Sequence, residues 1–184
     1  MPLPTPLPRD ELHLRRIEMR GYRRHDGLYD IEARITDTKS STIALSEKTV
    51  PAGAPIHDMW LRLVVDEDLT VHDVVAVTDA SPHEVCPQAV EALAAVKGLR
   101  IGPGWSRALK ERLRRPENCT HLAELLMPLA TTAYQTLAPL RHSRPERLDT
   151  SGRPLKIDSC YAYATMSPVV MRRWPQHYDG AAIE

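Results

Sequence analysis

The sequence predicts an α+β fold: an antiparallel sheet of about four strands with three helices packed on one face. Two observations carry this. Apolar and polar residues alternate through the first part of the chain, and a helical period takes over from about residue 81. The chain has 184 residues, 42% of them hydrophobic, which is enough for one core. Phe is absent, so that core must be largely aliphatic.

The elements follow in order. Residues 1–10 are Pro-rich and read as an extended arm. Residues 11–138 read as the single α+β domain, and 139–184 as a Pro- and Arg-rich segment that wraps its surface. "ELHLRRIEMRGYRR" and "GLYDIEARITDTK" alternate as two strands, with Asp26-Gly27 as the hairpin turn. In the second, Tyr29, Ile31, Ala33 and Ile35 take one face, and Asp30, Glu32 and Arg34 the other. Residues 38–55 are polar and read as a connection. Two more strands are expected at about 56–66 and 69–78, turning at Glu67-Asp68 and completing a meander. Ser81 is the expected cap of a first helix, with Pro82 at its first position and Gly98 as its stop. "LRIGPGW" reads as a loop and "SRALKERLRR" as a short helix. The longest helical pattern starts near Glu117 and buries Leu122, Leu126, Leu129, Ala133 and Leu137, with a kink at Pro128. One short strand is expected near Ser159–Ala164.

Composition narrows the function. Lys+Arg and Asp+Glu are both 24, so no broad basic field exists to hold nucleic acid. No apolar run approaches the roughly 20 residues that span a bilayer. The N-terminus lacks the pattern of a secretory signal. Three cysteines are an odd number without framework spacing, which suits a reducing cytoplasm. The expectation is a cytoplasmic protein acting on a small molecule, without nucleic acid or membrane, and with room for a homodimer.

The chemistry is sought where titratable side chains cluster. Cys119, His121 and Glu124 open the long helix, where the dipole and free amides favour a thiolate. A packed thiol beside a solvated carboxylate is the alternative. His57 and Asp58 open the third strand, and Asp79 ends the fourth. His57 and Asp58 can serve one site only if the backbone twists there, since strand neighbours point to opposite faces. Arg23 and Arg24 at the first hairpin could clamp an anionic substrate group, or form a solvated turn. Trp105, in its Gly/Pro loop, could be a substrate shelf.

The segments "GAPIHDMWLRLVVDEDLTVHDVVAVTDA", "VEALAAVKG" and "CTHLAELLMPLATTAY" resemble the iron–sulfur cluster scaffold family with the NifU/IscU-like fold, over residues 53–138. The resemblance implies that the site gathers at one end of the sheet. His57 stands where the family has its first cysteine, Asp58 matches its aspartate, and Cys119 matches its last cysteine. The junction cysteine has no match, since Asp79 to Ser81 lie there. A mixed N/O/S set suits one Zn or Fe better than a cluster. The full chain also looks like a bacterial family known only as a domain of unknown function, through "YRRHDGLYDIE", "PIHDMWLRL", "AVTDA", "GLRIGPGW" and "CTHLAELL".

The expectation is therefore a small enzyme carrying out metal-assisted hydrolysis or lyase chemistry on a small organic substrate. His57, Asp58, Cys119 and His121 would be catalytic. Arg23, Arg24, Trp105 and Glu124 would bind substrate. His57, Asp58, Asp79 and Cys119 would hold one Zn or Fe, and no nucleotide-cofactor motif is present. A metal-free variant, with His57 as base and Cys119 as nucleophile or acid, stays open. So does a non-catalytic metal or iron–sulfur carrier, or a plain interaction domain.

Overall fold

Alternation along four segments builds one antiparallel sheet. The computed structural model describes residues 3–114 and 116–180. The strands follow the chain as β1 (His13–Arg23), β2 (Tyr29–Lys39), β3 (Ile43–Ala44), β4 (Thr49–Val50), β5 (Pro55–Val65) and β6 (Val71–Ala80). The four long ones lie side by side in the order β1, β2, β5, β6. Between β2 and β5, where a plain connection is expected, β3 and β4 form a two-stranded hairpin of their own. Residues 3–12 carry no regular structure, and residues 1 and 2 of the expected arm lie outside the described residues.

The β1–β2 turn is closed by Arg24 N–H donating to the Leu28 carbonyl, with Gly27 at φ 88°. That left-handed conformation suits glycine. The β5–β6 turn is held by Asp66, whose Oδ1 accepts from the amides of Asp68 and Thr70.

One face of the sheet is dry. Ile31, Ala33 and Ile35 of β2 alternate inward with Met59, Leu61 and Leu63 of β5, all almost fully buried. The expected first helix is instead a 3₁₀ segment, Cys86–Val96, against β6. Its bonds, such as Lys97 N–H to the Ala94 carbonyl, span three residues. Ser81 does not cap it; its hydroxyl donates to the His83 carbonyl. Gly98 does end it, at φ 78°. Helix α1 (Trp105–Arg112) follows. Helix α2 (Thr120–Thr136) lies across β1, β2 and β5 on the dry face, pressing Leu122, Leu126 and Leu129 into it. It continues through Pro128, whose missing N–H leaves the Glu124 carbonyl without its usual partner.

Gly21 of β1 lets α2 come close. A Cβ there would lie 1.8 Å from Thr136 Oγ1 and 2.7 Å from Thr136 Cβ. Gly21→Ala is expected to destabilise the protein by about 1–3 kcal/mol in chemical denaturation. Adding Thr136→Gly should recover part of that loss, and an unchanged midpoint in Gly21→Ala contradicts the contact.

The chain divides into two compact units, Met1–Leu137 and Ala138–Glu184. The second holds α3 (Ala138–Ser143) and α4 (Pro168–Arg173) and has its own small core of Ile157, Val170 and Trp174. The strand expected near Ser159–Ala164 is a 3₁₀ turn, Tyr161–Tyr163. Trp174 Nε1 donates to Glu146 at 2.6 Å and fixes that core.

Candidate active site at the sheet end

The site gathers around Asp37. In β2 this residue continues the inward phase of Ile31, Ala33 and Ile35, so the pleat sends a carboxylate into the dry face. It is 1% exposed. A buried carboxylate must be matched, and this one is. Arg15 Nε and Nη2 donate to its two oxygens at 2.8 and 2.9 Å. His13 Nε2 lies 3.0 Å from Oδ1 and His57 Nδ1 3.0 Å from Oδ2. The strand register explains the gathering, because Arg15 and His57 are its direct neighbours on β1 and β5.

Burial opposes ionisation of Asp37, but the hydrogen bonds and charge of Arg15, with His57 and His13, more than offset it. The carboxyl is held below its usual 3.8. An ionised Asp37 can only accept, so the ring nitrogens facing it carry the protons. His57 therefore keeps its hydrogen on Nδ1 and presents a bare Nε2. Burial lowers the His57 pKa below 6.5, and the neighbouring His121 lowers it further, against the pull of Asp37.

Helix α2 supplies the opposite wall. The His121 ring lies over His57 with centroids 3.9 Å apart and planes tilted by 35°. Cys119 is the residue before the helix, and its Sγ lies 4.0 Å from His121 Nδ1. Glu124 Oε2 is 3.7 Å from Arg15 Nη1 at the more exposed rim. Donor atoms of Asp37, His57 and His121 all fall within 4.8 Å of one another. Thr78, opposite Met59 on the neighbouring strand, has a buried hydroxyl with no hydrogen-bond partner among the described residues.

Of the residues singled out by sequence, His57, Cys119, His121 and Glu124 share this site. Asp58 does not join them. It follows His57 in the strand and points through the other face, where Arg34 grips it at 2.8 and 2.6 Å. Register shifts flank this stretch but do not turn it round. Asp79 is on that other face too, accepting from Trp60 Nε1 at 3.1 Å. Neither can share a metal with His57. Arg24 is tied to Asp26 and Asp30 in the hairpin turn. Arg23 ends β1, eight residues from Arg15 and roughly 27 Å along the strand. Trp105 is no shelf. It is 4% exposed, and its Nε1 donates to the Leu126 carbonyl. Gly104, at φ 87°, starts α1 so that the indole falls into the core.

Residues 13–135 match the model of a family described as "Protein of unknown function (DUF2889)". The chain belongs to that family. The matched span takes in every residue of the site, from His13 on β1 to Glu124 on α2. No curated protein and no solved structure matches the chain. No described helix of this DUF2889 member is long and apolar enough to cross a membrane.

Proposed function

We propose that this DUF2889 protein is a small enzyme in which His57 is a general base, acting on a small organic substrate by lyase or hydrolase chemistry. The observation behind this reading is the Asp37–His57 pair, in which a buried, ionised carboxylate fixes the imidazole tautomer. A base needs a free lone pair and a pKa that leaves it neutral near pH 7. His57 has both, with Nε2 bare and the pKa below 6.5. Arg15 and His13 are positioning residues that hold Asp37. His121 and Cys119, beside His57 on the facing helix, would return a proton or attack carbon.

The 4.8 Å convergence of Asp37, His57 and His121 favours a second reading, one Zn or Fe held by two imidazoles and a carboxylate. It has less support than the first. Arg15, His13 and His57 already use the lone pairs of Asp37, and His57 Nδ1 is itself engaged with that carboxylate. An iron–sulfur carrier with a NifU/IscU-like core has less support again. Within the first unit Cys119 alone stands at the site, while Cys86 begins the 3₁₀ segment against β6.

Diethyl pyrocarbonate, which acylates neutral imidazole, tests the base. Peptide mass spectrometry should show His57 modified with a pH midpoint below 6.5, and a midpoint above 6.5 overturns the assignment. Metal content measured on the same protein decides the second reading. One Zn or Fe per chain, lost in both His57→Ala and His121→Ala, would replace the base reading with the metal one.

A further inference from the structure

The sheet has a second face, and it carries a pattern of its own. The β-register places its side chains in rows across all four strands. One central row reads Glu18, Arg34, Trp60, Val77. The next reads Arg20, Glu32, Arg62, Val75. On β1 and β2, each charge in one row has the opposite charge at the same strand of the other row. The third strand pairs an indole with a guanidinium, and the fourth pairs two valines.

We infer that this face is the contact surface for a second copy of the chain, packed back to back about a twofold axis that crosses the strands between the two rows. Such an axis lays each row on the partner's other row. Glu18 then meets Arg20 of the partner subunit, and Arg34 meets the partner's Glu32. Trp60 meets the partner's Arg62, a cation–π arrangement that Arg34 already makes with Trp60 within one copy at 4.6 Å. Val77 meets the partner's Val75.

Three further observations support the match. Trp60, Val75 and Val77 are 38%, 43% and 46% exposed and adjacent across β5 and β6, an apolar strip beside the charged pairs of β1 and β2. The charges are already paired at home, Arg34 with Asp58 and Arg62 with Glu32, so association desolvates neutral pairs instead of free ions. A depression of about 280 Å³ among Glu18, Arg20, Glu32, Arg34 and Trp60 gives the partner's side chains somewhere to enter. The size also fits. Four strands of about eleven residues cover roughly 19 by 37 Å, or about 700 Å². A standard interface uses about 800 Å² per partner. The His57 site lies on the dry face, so each copy would keep its site away from the contact.

Sedimentation equilibrium on the full chain tests this. The expected mass is about twice the 20.7 kDa of one chain. Glu32→Arg sets two arginines against each other at each contact with the partner's Arg34. Arg34→Glu likewise sets two glutamates against each other at each contact with the partner's Glu32. Each variant alone should weaken the dimer at least tenfold while circular dichroism stays unchanged. Mixing the two should restore it. In the mixed dimer the two substituted side chains, now of opposite charge, face each other at one contact, and the other contact keeps the native pair of Arg34 with the partner's Glu32. A monomeric wild type overturns the inference, whether solvent or another part of the chain occupies the face. A dimer indifferent to both variants, or a mixture that fails to recover, overturns it as well.

Discussion

His57→Gln is expected to lose about 10²- to 10⁴-fold in turnover, measured on whichever of a panel of small esters and β-hydroxycarbonyl compounds the wild type converts. Glutamine keeps a donor toward Asp37 but offers no basic nitrogen. Asp37→Asn should do less, because the imidazole survives and only its tautomer is released. The wild-type rate should rise with pH along a limb centred below 6.5, since protonated His57 cannot accept a proton. Stability should follow the same sign. Between the folded pKa and 6.5 the unfolded chain binds more protons, so stability grows with pH and is fully present above 6.5. It is lost as pH falls through that window. Equal activity in His57→Gln and wild type would end the general-base reading.

Asp37→Ala is expected to cost about 2 kcal/mol, less than the roughly 3–5 kcal/mol that breaking a fully buried ion pair costs. The cost is lowered because the Arg15 and His13 side chains are each 37% exposed and can turn to water. At this chain length the loss corresponds to about 4–8 °C in Tm. Acid should erase the difference. Asp37 is held below 3.8, so its stabilisation is complete above that value and disappears as pH falls through its folded pKa. Thermal melts at pH 7 and in acid check both statements. Equal melting temperatures at pH 7 would show that the carboxylate is not held as described.

Much of the fold is written in the alternation. The four strands and the buried stripe of α2 come from periodicity that burial enforces, and the Asp26-Gly27 turn from the left-handed φ that glycine supplies. Asp37 is missing from the residues singled out by sequence, although the same periodicity could have found it, as a carboxylate in phase with Ile31, Ala33 and Ile35. Adjacency in sequence misleads at the site, because a sheet assembles it from residues adjacent across strands. That is why Asp58 beside His57 is absent and Arg15, 42 residues earlier, is present. His13 and Arg15 are masked further by Leu12 and Leu14, which suggest the opposite phase for β1. The 3₁₀ segment and the β3–β4 hairpin are not legible, because a three-residue pitch and two-residue strands leave no period to read.

The two walls of the site have different origins. Asp37, Arg15, His13 and His57 sit on three strands that are neighbours in one meander, and they come together as soon as those strands zip. Cys119, His121 and Glu124 arrive separately, on the first turn and a half of a helix laid down afterwards in the chain. The half that holds Asp37 and His57 is thus anchored in backbone pairing, while the facing half rests on a few side chains at the start of one helix. Cys119, His121 and Glu124 could be exchanged without touching the strand pairing that orients the imidazole, so long as Leu122 between them stays in the core.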